Sequence, residues 1–191
     1  MELPQRAADA VGADEVVYVP AARNPLKEGE QQSAPEHRLR MLELAIAGRP
    51  GVRIATVELD RGGPSWWVDT LELIRAAGDP DDELLFLIGA DNALEFHRWR
   101  KWERILDLAT PVVMVRPPMD AAALGAELRR RYEADEAAWW GRRVVEVPEL
   151  DVSATEVRQR IAAGEPVDDL VAPAVARYAR QHALYPPRDE A

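Results

Sequence analysis

The stretch ELLFLIGADNALEFHRW (83–99) decides the fold. Its first seven residues, 83–89, form a continuous apolar run of strand length, which is typical of a strand covered on both faces. Polar residues follow as soon as the run ends. Strands of this kind occur in parallel sheets with helices on both sides, so the stretch predicts an α/β protein.

The same alternation of strand and helix patterns extends in both directions along the chain. Further strands are predicted at 14–20, 52–59, 111–117 and 142–148. Helices are predicted at 3–11, 35–48, 67–78, 101–109, 120–138, 154–163 and 170–182. Regular alternation indicates a parallel sheet with crossover helices, and no linker or internal repeat interrupts it.

Composition excludes several classes of function. The formal net charge of −10 argues against broad binding to nucleic acid, which requires a basic face. There are no cysteines, and His37, His97 and His182 lie far apart, so no metal-ligand spacing is present. No apolar run has membrane-spanning length, and the N-terminal MELPQRAADA lacks the pattern of a signal peptide. We therefore expect a cytoplasmic protein with one core.

The loops that follow the predicted strands are the place to expect a site, because ligands of such sheets bind beyond the carboxyl ends of the strands. These loops read PAARNPLK, DRGGPSWW, GADNALEFHRW, RPP and ELDVSATEVR. Most of them begin or continue with Gly, Arg, Asp, Asn or Ser. A small anionic substrate would find local cations here despite the negative net charge.

The helix start in DVSATEVRQRIAAG (151–164) has two interpretations. Ser153 followed by Glu156 is the capping-box pattern, in which Ser occupies the N-cap. The free N–H groups, the hydroxyls of Ser153 and Thr155, and the guanidinium of Arg158 would equally suit a bound phosphate. The two interpretations are compatible, because Ser153 can cap the helix and remain near a ligand.

At this point the loops resemble those of a known family. The chain resembles bacterial nicotinate mononucleotide adenylyltransferases of the HxGH nucleotidyltransferase superfamily. The stretches that carry the resemblance occur in the family's order: VPAARNPLK, HRLRMLELAI, GGPSWWVDTL, LIGADNALEFHRWRKWERIL, VVMVRPP, VSATEVRQRI and LVAPAVARYARQHALY. The resemblance implies a Rossmann-like nucleotidyltransferase domain over residues 1–185, with 186–191 as a frayed tail.

The resemblance also implies roles for individual residues. Ser153, Thr155 and Arg158 correspond to the start of the triphosphate-binding helix, and a guanidinium suits bidentate contact with phosphate. Lys27 and Arg116 are candidate phosphate-side cations. For both of these, a solvated surface charge is the competing interpretation.

Four further residues are implied to bind the acceptor nucleotide. Asp91 would contact ribose or substrate, although it could instead cap the next helix. Trp99 would stack on the pyridine ring, and core packing is its alternative. Trp66 and Trp67 replace the Tyr-Thr pair that the family usually has, so a hydroxyl near the pyridine carboxylate is lost. Backbone N–H groups of this loop could still hold the carboxylate.

Three other features are expected to be structural. His37 and Arg38 open a helix and would support the preceding loop. The pair Trp139-Trp140 is expected to cover an edge of the core.

The implied reaction transfers AMP from ATP to nicotinate mononucleotide, with Mg²⁺ bound through phosphates and water. Such a transfer requires alignment and stabilisation of phosphate charge. Two alternatives stay open: a catalytically inactive nucleotide-binding protein, and an adenylyltransferase for another phosphate-bearing acceptor. The expected partners are small molecules, with no nucleic acid and no membrane, and a homo-oligomer is left open.

The largest departure from the family is at the N-terminus. Family members begin with a strand and a turn of the form GGxFDPxHxGH, and no His-x-Gly-His occurs in this sequence. The resemblance therefore implies that the first, central strand of the sheet is missing. Loss of a central strand would leave backbone N–H and C=O groups of the neighbouring strands without hydrogen-bond partners. We accordingly expect Met1 to be an internal methionine of a longer chain.

Overall fold

The computed structural model describes residues 2–23, 33–148 and 153–186. Its helices are α1 Glu2–Val11, α2 Pro35–Ile46, α3 Val57–Arg61, α4 Trp67–Ala77, α5 Ala90–Leu94, α6 Trp102–Leu108, α7 Ala121–Arg131, α8 Ala134–Gly141, α9 Ala154–Ala162 and α10 Pro173–Gln181. Its strands are β1 Val16–Tyr18, β2 Val52–Ile54, β3 Leu85–Gly89, β4 Thr110–Val115 and β5 Val144–Glu146. The predicted α/β class is confirmed.

The strands form two parallel sheets. β1 pairs with β2, while β3, β4 and β5 pair in that order. Within the described ranges, no ladder joins the two sheets.

The main hydrophobic core surrounds the three-stranded sheet. It contains β3 and β4 residues together with α4, α6, α7 and α8, and Trp140 and Phe96 are among its largest fully buried side chains. A second, smaller cluster joins α9 and α10 through Ile161, Val167 and Ala176. By contrast, β1, α2 and β2 contain no fully buried residue.

The prediction that β3 is covered on both faces is only half correct. Phe86 and Ile88 are buried, whereas Leu87 on the opposite face is 37% exposed. Side chains alternate between the faces of a strand, so one face of β3 packs into the core and the other is partly open to solvent. A continuous apolar run cannot distinguish these two cases.

Two predicted elements have different boundaries in the structure. The predicted strand 52–59 ends at Ile54, because Val57–Arg61 forms α3, whose first turn carries Glu58 and Asp60 at the favourable end of the helix dipole. The predicted helix 120–138 is two helices that break at Tyr132. The Tyr132 hydroxyl donates to the carbonyl of Ala93 at 3.0 Å, which fixes the break against α5.

No helix within the described ranges is both long and apolar enough to cross a membrane.

Candidate functional site

The carboxyl ends of β3, β4 and β5 form one edge of the larger sheet. Gly89 of β3 lies opposite Met114 of β4, and Val115 lies opposite Glu146 of β5. The chain segments that carry Asp91, Arg116 and Ser153 follow these three adjacent strands. The strand pattern of the sequence therefore predicted the order of these strand ends, whereas α9, which Ser153 precedes, packs against α10 in the smaller hydrophobic cluster.

Asp91 lies in the first turn of α5 and does not cap it. The N-cap is Gly89, and no side chain makes a capping hydrogen bond there. The carboxylate is exposed and has no hydrogen bond or ion pair with any residue that the structure describes. The capping interpretation of Asp91 is therefore wrong, and its carboxylate is open to a ligand.

Trp99 follows a single 3₁₀ turn, Phe96–Arg98, at the end of the same loop. Its ring centroid lies 5.1 Å from that of the buried Phe96, with the planes tilted by 39°. The side chain is half-buried, so it packs against the core and still presents part of its ring to solvent. The indole therefore packs on a buried ring of the same segment.

Trp66 and Trp67 begin α4 but occupy different environments. The Trp67 ring lies 6.1 Å from that of Phe86 in the core. Its indole Nε1 is buried and has no hydrogen-bond partner among the residues described. Trp66 is the N-cap residue of α4, and its ring lies 5.3 Å from the guanidinium carbon of Arg100. Both tryptophans pack against the main core, and they differ in that Trp67 contacts Phe86 whereas the Trp66 ring faces the guanidinium of Arg100.

Ser65 links the loop after β1 to the loop before α4. Its Oγ accepts hydrogen bonds from the N–H groups of Ala22 at 3.0 Å and Arg23 at 3.3 Å. Its own N–H donates to the carbonyl of Arg23 at 2.9 Å. Arg38 supports the same loop, because its Nη2 donates to the carbonyl of Ala21 at 2.6 Å. The expected supporting role of Arg38 is confirmed, whereas the role of Ser65 was not predicted.

The contacts of His37 are with the C-terminal helix rather than with the preceding loop that it was expected to support. Its Nδ1 is 2.9 Å from the Tyr178 hydroxyl, and its ring centroid is 5.0 Å from that of His182. These contacts join α2 to α10, so His37 supports helix packing.

A buried pair, Glu58 and Thr70, joins α3 to the start of α4 beside Trp66. Glu58 is 3% exposed and Thr70 is fully buried. The Thr70 hydroxyl donates to Glu58 Oε1 at 2.5 Å and lies 3.3 Å from the carbonyl of Trp66. Twelve residues separate the partners, so no local sequence pattern could have revealed the pair.

We expect Thr70→Val to lower the free energy of unfolding by about 1–3 kcal/mol, because it leaves a buried carboxylate without its donor. Chemical denaturation measures the change. The double variant Glu58→Leu with Thr70→Val should recover part of the loss, since it removes both partners together. A single variant as stable as the parent protein would contradict this account.

The start of α9 is built as the capping pattern predicts. Ser153 is the N-cap, and its Oγ accepts a hydrogen bond from the N–H of Glu156 at 2.9 Å. Arg158 Nη2 lies 3.3 Å from Thr155 Oγ1. Ser153, Thr155 and Arg158 are all exposed, so capping leaves this cluster accessible. Glu156 pairs with Arg160 at 2.9 Å.

The two other predicted cations are Arg116 and Lys27. Arg116 directly follows β4, is exposed, and has no ion pair with any described residue. Lys27 lies outside the described residues. Within the described ranges, no hydrogen bond or ion pair joins Arg158 to Asp91 or Arg116. The same ranges contain no group of three or more His, Cys, Asp or Glu side chains that could hold a metal ion.

Comparisons with known proteins identify relatives of this chain. The family model described as cytidylyltransferase-like matches residues 1–160. A relative from Roseiflexus sp. that carries the name "probable nicotinate-nucleotide adenylyltransferase" is 39% identical over 176 residues, covering 92% of this chain and 85% of the relative. A relative of the same name from Bacillus pumilus is 35% identical over 175 residues, covering 92% and 84%.

Solved structures support the fold. The Plasmodium falciparum nicotinic acid mononucleotide adenylyltransferase complexed with NaAD aligns with a TM-score of 0.65 at 15% identity, covering 96% of this chain and 88% of that one. The match between family model and sequence, together with these relatives, establishes the family. The chain belongs to the cytidylyltransferase-like nucleotidyltransferases and, among them, to the family of nicotinate-nucleotide adenylyltransferases.

Proposed function

We propose that this protein transfers the AMP moiety of ATP to nicotinate mononucleotide, giving deamido-NAD and pyrophosphate for NAD synthesis. The observation that carries the proposal is identity of 33–39% to relatives with this name over at least nine-tenths of the chain. Exposed polar side chains in the segments that follow β3, β4 and β5, namely Asp91, Arg116 and Ser153, support it independently.

In the proposed reaction a phosphate oxygen of the mononucleotide attacks the α-phosphorus of ATP. A new P–O bond forms, the bond between the α-phosphorus and the bridging oxygen breaks, and pyrophosphate leaves. The protein has to align the two phosphates and stabilise their charge, without covalent participation. We propose that Mg²⁺ arrives with ATP, bound through phosphates and water.

We assign the triphosphate to the start of α9. The N–H groups at a helix N-terminus and the hydroxyls of Ser153 and Thr155 can donate to phosphate oxygens. Arg158 can donate two parallel hydrogen bonds to the same group. Arg116 and Lys27 would contribute further positive charge.

We assign the mononucleotide to the loops around Asp91 and Trp99. The free carboxylate of Asp91 is a suitable acceptor for ribose hydroxyls, and the exposed part of the Trp99 ring offers a flat surface to the pyridine. Trp66 and Trp67 would line the side of the pocket where the ring's carboxylate lies. The cytoplasm is the proposed compartment, with small molecules as partners and no nucleic acid.

The direct test is to incubate the protein with Mg²⁺, ATP and nicotinate mononucleotide, and to measure pyrophosphate and deamido-NAD. Nicotinamide mononucleotide and phosphopantetheine are the alternative acceptors. Calorimetric binding of ATP without pyrophosphate release would instead identify a nucleotide-binding protein. Turnover with phosphopantetheine alone would assign a different adenylyltransferase.

We expect Trp99→Ala to raise KM for nicotinate mononucleotide about five- to tenfold, as loss of one aromatic stacking contact predicts. The KM for ATP should change little. Steady-state kinetics with each substrate varied in turn separates the two. Trp102→Ala is the matched control, because Trp102 is also half-buried against the core but begins α6. An equal rise in KM for both variants would argue against a role in stacking.

A further inference from the structure

We propose that Arg100 determines acceptor specificity: its guanidinium binds the carboxylate on the acceptor's pyridine ring and so selects nicotinate over nicotinamide. This inference rests on the proposed function and specifies the acceptor of the same site. Arg100 was not among the site residues that the sequence suggested.

The position of Arg100 joins the two aromatic groups assigned to the acceptor. It directly follows Trp99, and the backbone then turns at Lys101, whose φ of 53° is left-handed. The Arg100 guanidinium carbon lies 5.3 Å from the centroid of the Trp66 ring. One arginine side chain therefore extends from the Trp99 position to the Trp66 ring, across the space between the two loops.

The charge of Arg100 is not balanced by a carboxylate. Its side chain is exposed and has no ion pair with any residue in the described parts of the chain. Nearby arginines differ in this respect. Arg98 pairs with Glu95, and Arg104 lies 3.3 Å from Glu72. The hydrogen bond from Arg98, with a further contribution from Arg131, holds the pKa of Glu95 below its usual range, so that carboxylate is engaged elsewhere.

A guanidinium over an indole keeps its hydrogen-bonding edge free. The cation–π contact uses the ring face of Trp66, while the N–H groups of a guanidinium lie in its plane and can bind a carboxylate with two hydrogen bonds. The indole Nε1 of Trp67 is buried and is therefore a less accessible donor. Nicotinate carries a negative carboxylate on its ring, whereas nicotinamide carries a neutral amide. A free cation at this position therefore favours nicotinate.

The test compares kcat/KM for nicotinate and nicotinamide mononucleotides in the parent protein and in Arg100→Met. We expect kcat/KM for nicotinate mononucleotide to fall at least about tenfold, as for loss of a charge-assisted contact, with little change for nicotinamide mononucleotide. Arg100→Lys keeps the charge but loses the planar guanidinium. Its kcat/KM for nicotinate mononucleotide should lie between those of the parent protein and Arg100→Met. Calorimetric binding of nicotinate mononucleotide should weaken in parallel.

Arg98→Met is the matched control, since it removes an exposed arginine from the same segment and should leave the acceptor ratio unchanged. The inference would be overturned if Arg100→Met left the ratio of kcat/KM for the two mononucleotides unchanged, whether both values fell equally or neither fell. The proposed function would stay intact in either case. A parent protein that forms no dinucleotide from either acceptor would overturn the proposed function itself.

Discussion

Arg158→Ala is expected to lower kcat/KM for ATP by about 30-fold, which corresponds to about 2 kcal/mol of lost transition-state stabilisation. The reason is the position of the guanidinium, which is exposed in the first turns of α9 and lies 3.3 Å from the Thr155 hydroxyl. No carboxylate in the described chain competes for it. Initial-rate kinetics of pyrophosphate release with ATP as the varied substrate measures the effect.

Two controls separate phosphate binding from a general change in α9. Arg158→Lys should retain part of the activity, because a lysine keeps the charge without the bidentate geometry. Arg160→Ala removes a neighbouring arginine that pairs with Glu156 and with Asp169, and it should leave the KM for ATP unchanged. If Arg158→Ala and Arg160→Ala had equal kinetics, the assignment of the triphosphate to this helix would be wrong.

Trp140→Ala is expected to lower the free energy of unfolding by about 3–5 kcal/mol, which is a large part of the ~5–15 kcal/mol typical of a domain. The Trp140 side chain is 2% exposed. Its ring lies 5.2 Å from Phe96 and 6.3 Å from Tyr132. Removing the indole therefore leaves a cavity between α8 and the residues that support Trp99. Denaturant titration measures the loss.

Trp139→Ala provides the comparison. Trp139 is half-buried, and the guanidinium of Arg143 lies 3.5 Å from its ring centroid. Its removal breaks a contact at the surface and leaves no internal cavity. The loss in free energy of unfolding should therefore be clearly smaller than for Trp140→Ala. Similar losses for the two variants would show that the core does not extend under α8 as described.

The fold could be predicted from sequence because its signals are local and repeated. Apolar runs that end in polar loops identified β3 and β4, and glycines after helical patterns identified several helix ends. The errors came from tertiary contacts. Leu87 belongs to an apolar run but faces solvent, and the helix break at Tyr132 depends on a hydrogen bond to residues of α5.

The candidate site was predictable where it depends on strand ends and helix starts. Ser153 and Asp91 are placed by such local features. Ser65, Glu58 and Arg100 were missed, because each acts on a partner distant in sequence: a loop after another strand, a buried hydroxyl, or a ring of another loop. Only spatial proximity reveals these contacts.

The uneven distribution of buried residues has a consequence for motion. Opening a segment costs free energy in proportion to the apolar surface it exposes, and β1, α2 and β2 bury no residue fully. This part can therefore exchange its amide hydrogens through openings that leave β3 and β4 intact. The loop held by Ser65 connects the two parts, so a ligand that binds both would make each opening more costly. Substrate binding would then convert two units of unequal stability into one cooperative unit.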